Sequence, residues 1–175
     1  MTQLEKAFEE CAVQLERIIN AYKRNKVNPK TKVWRSNGTV EEYDIVGELG
    51  STSIPNNANV TKVEIGSKVT SIGYNAFADC SELTSVTIGN GVTSIGDSAF
   101  YGCSDLTSVT IPNSVTLIKY VAFGGSSIMN STFVGKTAEQ VQAMDNYPWE
   151  LPVGGTIHCS DINIVVPESG GGSSS

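Results

Sequence analysis

Few side chains in this chain could do chemistry, and their spacing limits what that chemistry could be. The cysteines are Cys11, Cys80, Cys103 and Cys159. No Cys-x-x-Cys occurs, so a zinc site is not expected. The single histidine, His158, stands next to Cys159. A cysteine and a histidine make a nucleophile only when they face each other. Neighbours on a strand point to opposite faces, so these two are not expected to partner. Asp79, Glu82, Asp105 and Asp161 are scattered in turns rather than grouped as metal ligands. There is no calcium loop, and Gly170-Gly171-Gly172 belongs to no phosphate-binding pattern. No acid, base and nucleophile set converges. The expectation is a chain that is not an enzyme, with no catalytic residue, cofactor or metal site. Asn37-Gly38-Thr39, Asn59-Val60-Thr61 and Asn130-Ser131-Thr132 fit the glycosylation triplet, which is common by chance.

The elements that position these residues come from repetition. Val60-Thr61-Lys62-Val63-Glu64-Ile65, Leu83-Thr84-Ser85-Val86-Thr87-Ile88 and Leu106-Thr107-Ser108-Val109-Thr110-Ile111 begin three units spaced 23 residues apart. A fixed period in this range marks a solenoid. In the unit from Leu83 to Asp105, Val86 and Ile88 alternate as a strand requires. Gly89-Asn90-Gly91 turns the chain. Val92 and Ile95 point inward from a second short extended piece, and Gly96 ends it. The spacing of Ala99, Phe100 and Cys103 predicts one tight helical turn. The inward set is Leu83, Val86, Ile88, Val92, Ile95, Ala99, Phe100 and Cys103. One unit cannot bury enough by itself, and stacking supplies the missing contacts.

Outward strand positions then form three ladders. One is Thr61, Thr84 and Thr107. The second is Lys62, Ser85 and Ser108, and the third is Glu64, Thr87 and Thr110. Together these nine residues are the candidate binding surface, a hydroxyl-rich strip that could meet a glycan or a protein edge. The plainer reading is that Thr and Ser simply suit exposed strands. Tyr74 and Tyr120 occupy equivalent places on the opposite side, with Tyr101 nearby. Cys80 and Cys103 also occupy equivalent places, about 4.8 Å apart if the coils stack, so a disulfide is geometrically conceivable.

This pattern resembles the BspA-type leucine-rich repeat family. Ile111-Pro112, Val92-x-x-Ile95-Gly96, Ala76-Phe77-x-x-Cys80 and Ala99-Phe100-x-x-Cys103 carry the resemblance, strongly over about 60–135 and loosely over 40–166. It implies an α/β solenoid: a right-handed parallel β-solenoid with a concave strand face. It also implies that Cys80 and Cys103 are buried free thiols, and that the chain recognises or adheres rather than catalyses. In the third unit Lys119 replaces Gly73 and Gly96, and Ser126 replaces Cys80 and Cys103, so the stack is expected to end there.

The organisation expected along the chain is an amphipathic helix in 1–30, a hairpin and degenerate first coil in 31–59, repeats in 60–135, a capping segment in 136–167 and a flexible Gly/Ser tail in 168–175. Leu4, Phe8, Cys11, Leu15, Ile18 and Tyr22 form a heptad seam over residues 3–24. Two readings stand for it: a cap over the open end of the stack, or a short coiled coil joining copies of the chain. Asn37-Gly38 between Trp34 and Val40 is a hairpin signal, and Val40, Tyr43 and Ile45 have the spacing of Leu83, Val86 and Ile88. After the third unit a strand is expected over 128–133, a short helix from Thr137 to Met144, and strands over 156–159 and 162–166. The tail is a linker to a further segment or an appended end.

The net charge of −6 argues against nucleic acid as a partner, and no run is apolar enough to span a bilayer. The first residues lack the layout of a secretory signal, whereas the resemblance implies the cell surface, so the location stays open. Two functions remain: a recognition or adhesion module for a protein or glycan surface, or a structural subunit of a virion, such as a phage fibre or decoration protein, assembled through the helix.

Overall fold

A computed structural model describes Lys6 and residues 14–16, 30–55 and 57–168 of the chain. Lys6 and residues 14–16 are helical and Leu15 is exposed. Leu4, Phe8, Cys11, Ile18 and Tyr22 lie outside the described residues.

Among the described residues, twelve strands form two sheets. The first joins β1 (Thr31–Arg35), β2 (Val40–Tyr43), β4 (Val60–Glu64), β6 (Ser85–Thr87), β8 (Ser108–Ile111), β10 (Asn130–Phe133), β11 (Thr156–His158) and β12 (Asn163–Val165). Its order is β12-β11-β10-β8-β6-β4-β1-β2. The second joins β3 (Gly47–Leu49), β5 (Val69–Ile72), β7 (Ser94–Ile95) and β9 (Leu117–Ile118) in parallel. Strands β4, β6, β8, β10 and β11 are parallel, one from each successive coil. The architecture is a β-solenoid.

Every residue of the expected inward set is buried, and its counterparts in the flanking coils are buried with it, except Ser126, which is half-buried in the place of Cys103. Phe77, Phe100 and Phe123 stack with centroids 5.3 and 5.7 Å apart and planes within 10°. Side chains at one position of the repeat are thus each other's packing partners, the arrangement that makes repeat stability depend on neighbours.

The third side of each coil departs from the expected helical turn. Ala99, Tyr101 and Cys103 donate their N–H groups three residues back, to Gly96, Ser98 and Phe100. Between them, Phe100 and Gly102 donate to Ala122 and Gly124 of the next coil, each at 2.8 Å. Two of these five donors therefore tie one coil to the next, where a helix would keep them all. Left-handed residues at Ser98 (φ 54°) and Gly102 (φ 69°) produce this alternation. Asn75 and Val121 take the Ser98 conformation in the flanking coils, with φ 51° and 54°.

Two expectations about the ends need correction. Val40 and Tyr43 do not fill the inward strand position of a first coil. The hairpin forms, but β1 takes the place beside β4, antiparallel, and β2 lies outside it with Val40 exposed. Only Gly47–Leu49 continues the stack at this end, as the outer strand of the second sheet. Nor does the whole stack end with the third unit. The second sheet stops at β9, while the first continues through β10 and β11 before β12 turns back antiparallel. The 136–167 segment makes this possible. Thr137 caps α1 (Ala138–Gln142) with a reciprocal capping box, and Val141 is buried. Trp149, buried and stacked on Phe133 at 5.4 Å, fills the end of the core.

Candidate functional site

The nine candidate residues all belong to one face of the first sheet or its approach, but they are not equivalent. The Thr61, Thr84 and Thr107 ladder lies where the chain enters the strands. Thr84 Oγ1 donates to the Thr61 carbonyl at 3.0 Å, and Thr61 Oγ1 donates to the Trp34 carbonyl at 3.2 Å. The first clamps one coil to the next, and the second clamps the first coil to the hairpin. Thr93 and Thr116 repeat the device on the second sheet.

The other two ladders project from the strands themselves. Lys62 is level with Ser85, and Glu64 with Thr87, which is level with Thr110. The register carries both rows beyond the expected residues. Ser108 is level with Asn130 and then Thr156, and Thr110 with Thr132 and then His158. In the other direction Lys62 is level with Trp34, and Glu64 with Lys32. Each row is set by strand pairing, so its residues repeat at about 4.8 Å.

Chemistry changes along the rows. The β1 end is charged: Lys62 pairs with Glu64 at 2.9 Å and lies 4.4 Å from the Trp34 ring centroid. Lys32 pairs with Glu42 at 3.1 Å, and that hydrogen bond holds the Glu42 carboxyl below its ordinary range. The middle is neutral and hydroxylated, and it borders an open groove of about 450 Å³. Ser85, Thr87, Asn90, Ser108, Thr110 and Val134 line that groove. The far end carries His158, whose Nδ1 lies 3.2 Å from Asn163 Oδ1 and whose Nε2 lies 3.5 Å from Asn130 Oδ1.

The cysteines sit elsewhere. Cys80 and Cys103 are buried free thiols, and Cys103 donates its S–H to the Phe77 carbonyl at 3.1 Å. Burial pushes both up to about 12. Cys159 is half-buried and its thiol is pushed up by burial and then by Asp161. His158 is engaged with asparagines, not with Cys159. Among the described residues no group of three His, Cys, Asp or Glu side chains is placed to hold a metal ion. Among them, too, no helix is long and apolar enough to cross a membrane.

Sequence reasoning missed Trp34, Lys32, Asn130, Thr132, Thr156 and His158 as members of the two rows. They lie in segments that do not repeat, so only the strand register could align them. The Asn-x-Thr spacing of Asn130 and Thr132, which copies Ser108 and Thr110, is the one signal that was present.

No curated protein matches the chain. A leucine-rich repeat protein of T. pallidum is 22% identical over 51% of this chain and 52% of its own length, with a TM-score of 0.40. One from Eubacterium ventriosum is 22% identical over 70% of this chain and 39% of its own, with a TM-score of 0.38. The chain therefore spans about half of the first and less of the second. The family model for the BspA type leucine rich repeat region matches six copies across residues 40–145, more than half of the chain. This chain belongs to the BspA-type leucine-rich repeat family.

Proposed function

We propose that the chain is a non-catalytic recognition or adhesion module that binds a protein or glycan surface through the outward rows of its first sheet. The observation that supports this is the pair of polar rows, in register across successive coils and bordering the groove at Ser85, Thr87, Ser108 and Thr110. Hydroxyls at a regular spacing on a stiff backbone lose little conformational freedom when they engage a repeating or extended partner. Lys62 and Trp34 at one end and His158 at the other add a charge, an aromatic face and an imidazole ring. A single open groove gives modest affinity. Joining copies through the heptad seam at residues 3–24 would add avidity.

The test is a panel of surface glycans and cell-surface proteins probed with the full chain. Saturable binding that is weakened by Ser85→Arg with Ser108→Arg supports the proposal. The alternative, a virion structural subunit, rests on the heptad spacing of Leu4, Phe8, Cys11, Leu15, Ile18 and Tyr22. It predicts a stable dimer or trimer that co-purifies with particles and binds nothing on the panel.

A further inference from the structure

We infer that a different side of the solenoid, the turn side carrying Tyr74, Asp97 and Tyr120, is a second docking surface and takes arginine or lysine side chains of a basic partner segment. These three residues hold the same place in successive coils. Strand pairing aligns Ile72, Ile95 and Ile118, and each of the three follows two residues later. Asn75 N–H donates to the Asp97 carbonyl and Ser98 N–H to the Tyr120 carbonyl, both at 3.2 Å. The two tyrosines are therefore one coil either side of the aspartate, with backbones about 10 Å apart. The left-handed residue that follows each of them turns the chain sharply and leaves it at the corner.

The fold makes no evident use of these rings. Tyr74 is 66% exposed and Tyr120 62%, and Tyr101 on the same side is 45% exposed. Among the described residues none of the three side chains makes a hydrogen bond or a ring contact. The interior of these coils is already filled by Ala76, Phe77, Ala99, Phe100, Ala122 and Phe123. Large apolar groups left in water as a cluster are the informative exception on a surface, and tyrosine is among the commonest anchors of interfaces.

Charge selects the partner. Asp97 lies between the tyrosines, and Glu150 comes close to Tyr101 over the Gly124 backbone. A cation over a tyrosine face is attracted by the ring, and a carboxylate beside it adds a charge-assisted hydrogen bond. Lys119, the residue before Tyr120, already places its ammonium 3.8 Å from Asp97, a loose pair between two half-exposed groups. It shows the kind of group this spot accepts, and an incoming cation would displace it. The net charge of −6 steers basic partners toward the chain.

The test is anisotropy of a fluorescent tetra-arginine peptide titrated with the full chain at low ionic strength. All substitutions fall on exposed or half-exposed positions, and unchanged thermal midpoints verify folding. Saturable binding is expected, weakened roughly tenfold by Tyr74→Ser with Tyr120→Ser and several-fold by Asp97→Asn. Lys119→Ala removes the resident cation and is expected to tighten binding several-fold, a gain that vanishes in the tyrosine-less background. Three results would overturn the inference. They are no binding by the full chain, equal binding by the tyrosine-less variant, and weaker binding by Lys119→Ala.

Discussion

The inward and outward faces of the same strands obey different rules. Inward, Val63, Val86 and Val109 repeat without change, as do Ile65, Ile88 and Ile111, and all are buried. Outward, Lys62 gives way to Ser85, Ser108 and Asn130, and Glu64 gives way to Thr87, Thr110 and Thr132. An inward side chain packs against its own counterpart in the next coil, so a change in one coil leaves a mismatch on two sides. An outward side chain meets mostly water, and its identity is open to use. The repeat therefore marks the scaffold, and the drift marks where the proposed recognition would differ from coil to coil.

The largest effect that would sharpen this contrast is in the phenylalanine stack. Phe100→Ala removes a ring held between Phe77 and Phe123 and is expected to cost about 3–5 kcal/mol in urea unfolding. A loss under about 1 kcal/mol would break the claim that coils lock through their interiors.

The buried thiols come next. Their folded pKa of about 12 lies above the ordinary 9.0. Below pH 9 both folded and unfolded chains keep these protons, and the contribution is intact. Between about pH 9 and 12 the unfolded chain loses them first, so stability falls as pH rises. Denaturation across that range should show a shallower fall in Cys80→Ala with Cys103→Ala than in the parent.

A smaller, opposite effect is expected at Val121, a β-branched residue at φ 54°. Left-handed backbone costs such residues about 1–2 kcal/mol, and asparagine tolerates it. Val121→Asn, which copies Asn75, is expected to raise the thermal midpoint; a lower midpoint would show that the valine's packing outweighs its strain. The smallest effect belongs to the outward face. Ser85→Arg with Ser108→Arg is expected to leave stability within about 0.5 kcal/mol in the same urea assay. A larger loss would mean the outward rows are structural.

What could be read from sequence followed the same division. Leu83, Val86, Phe100 and Cys103 could be assigned inward because the period repeats their type at fixed offsets. The capping of α1 by Thr137 was legible because it is local in sequence. The antiparallel seat of β1 was not, since Lys32 and Val33 carry the same alternation whichever way the strand runs. The left-handed corners at Asn75, Ser98 and Val121 were hidden because those residue types share no preference for that conformation. Of the candidate site, all nine expected positions came from the period. Trp34, Asn130 and His158 joined only through register, which non-repeating segments do not reveal.

The most direct test of the account is binding of the full chain to glycan and cell-surface protein panels, with Ser85→Arg/Ser108→Arg measured beside it. Binding through the outward rows predicts at least one saturable partner whose affinity drops roughly tenfold or more in the variant while the thermal midpoint holds. Equal binding of every partner by both proteins would contradict it.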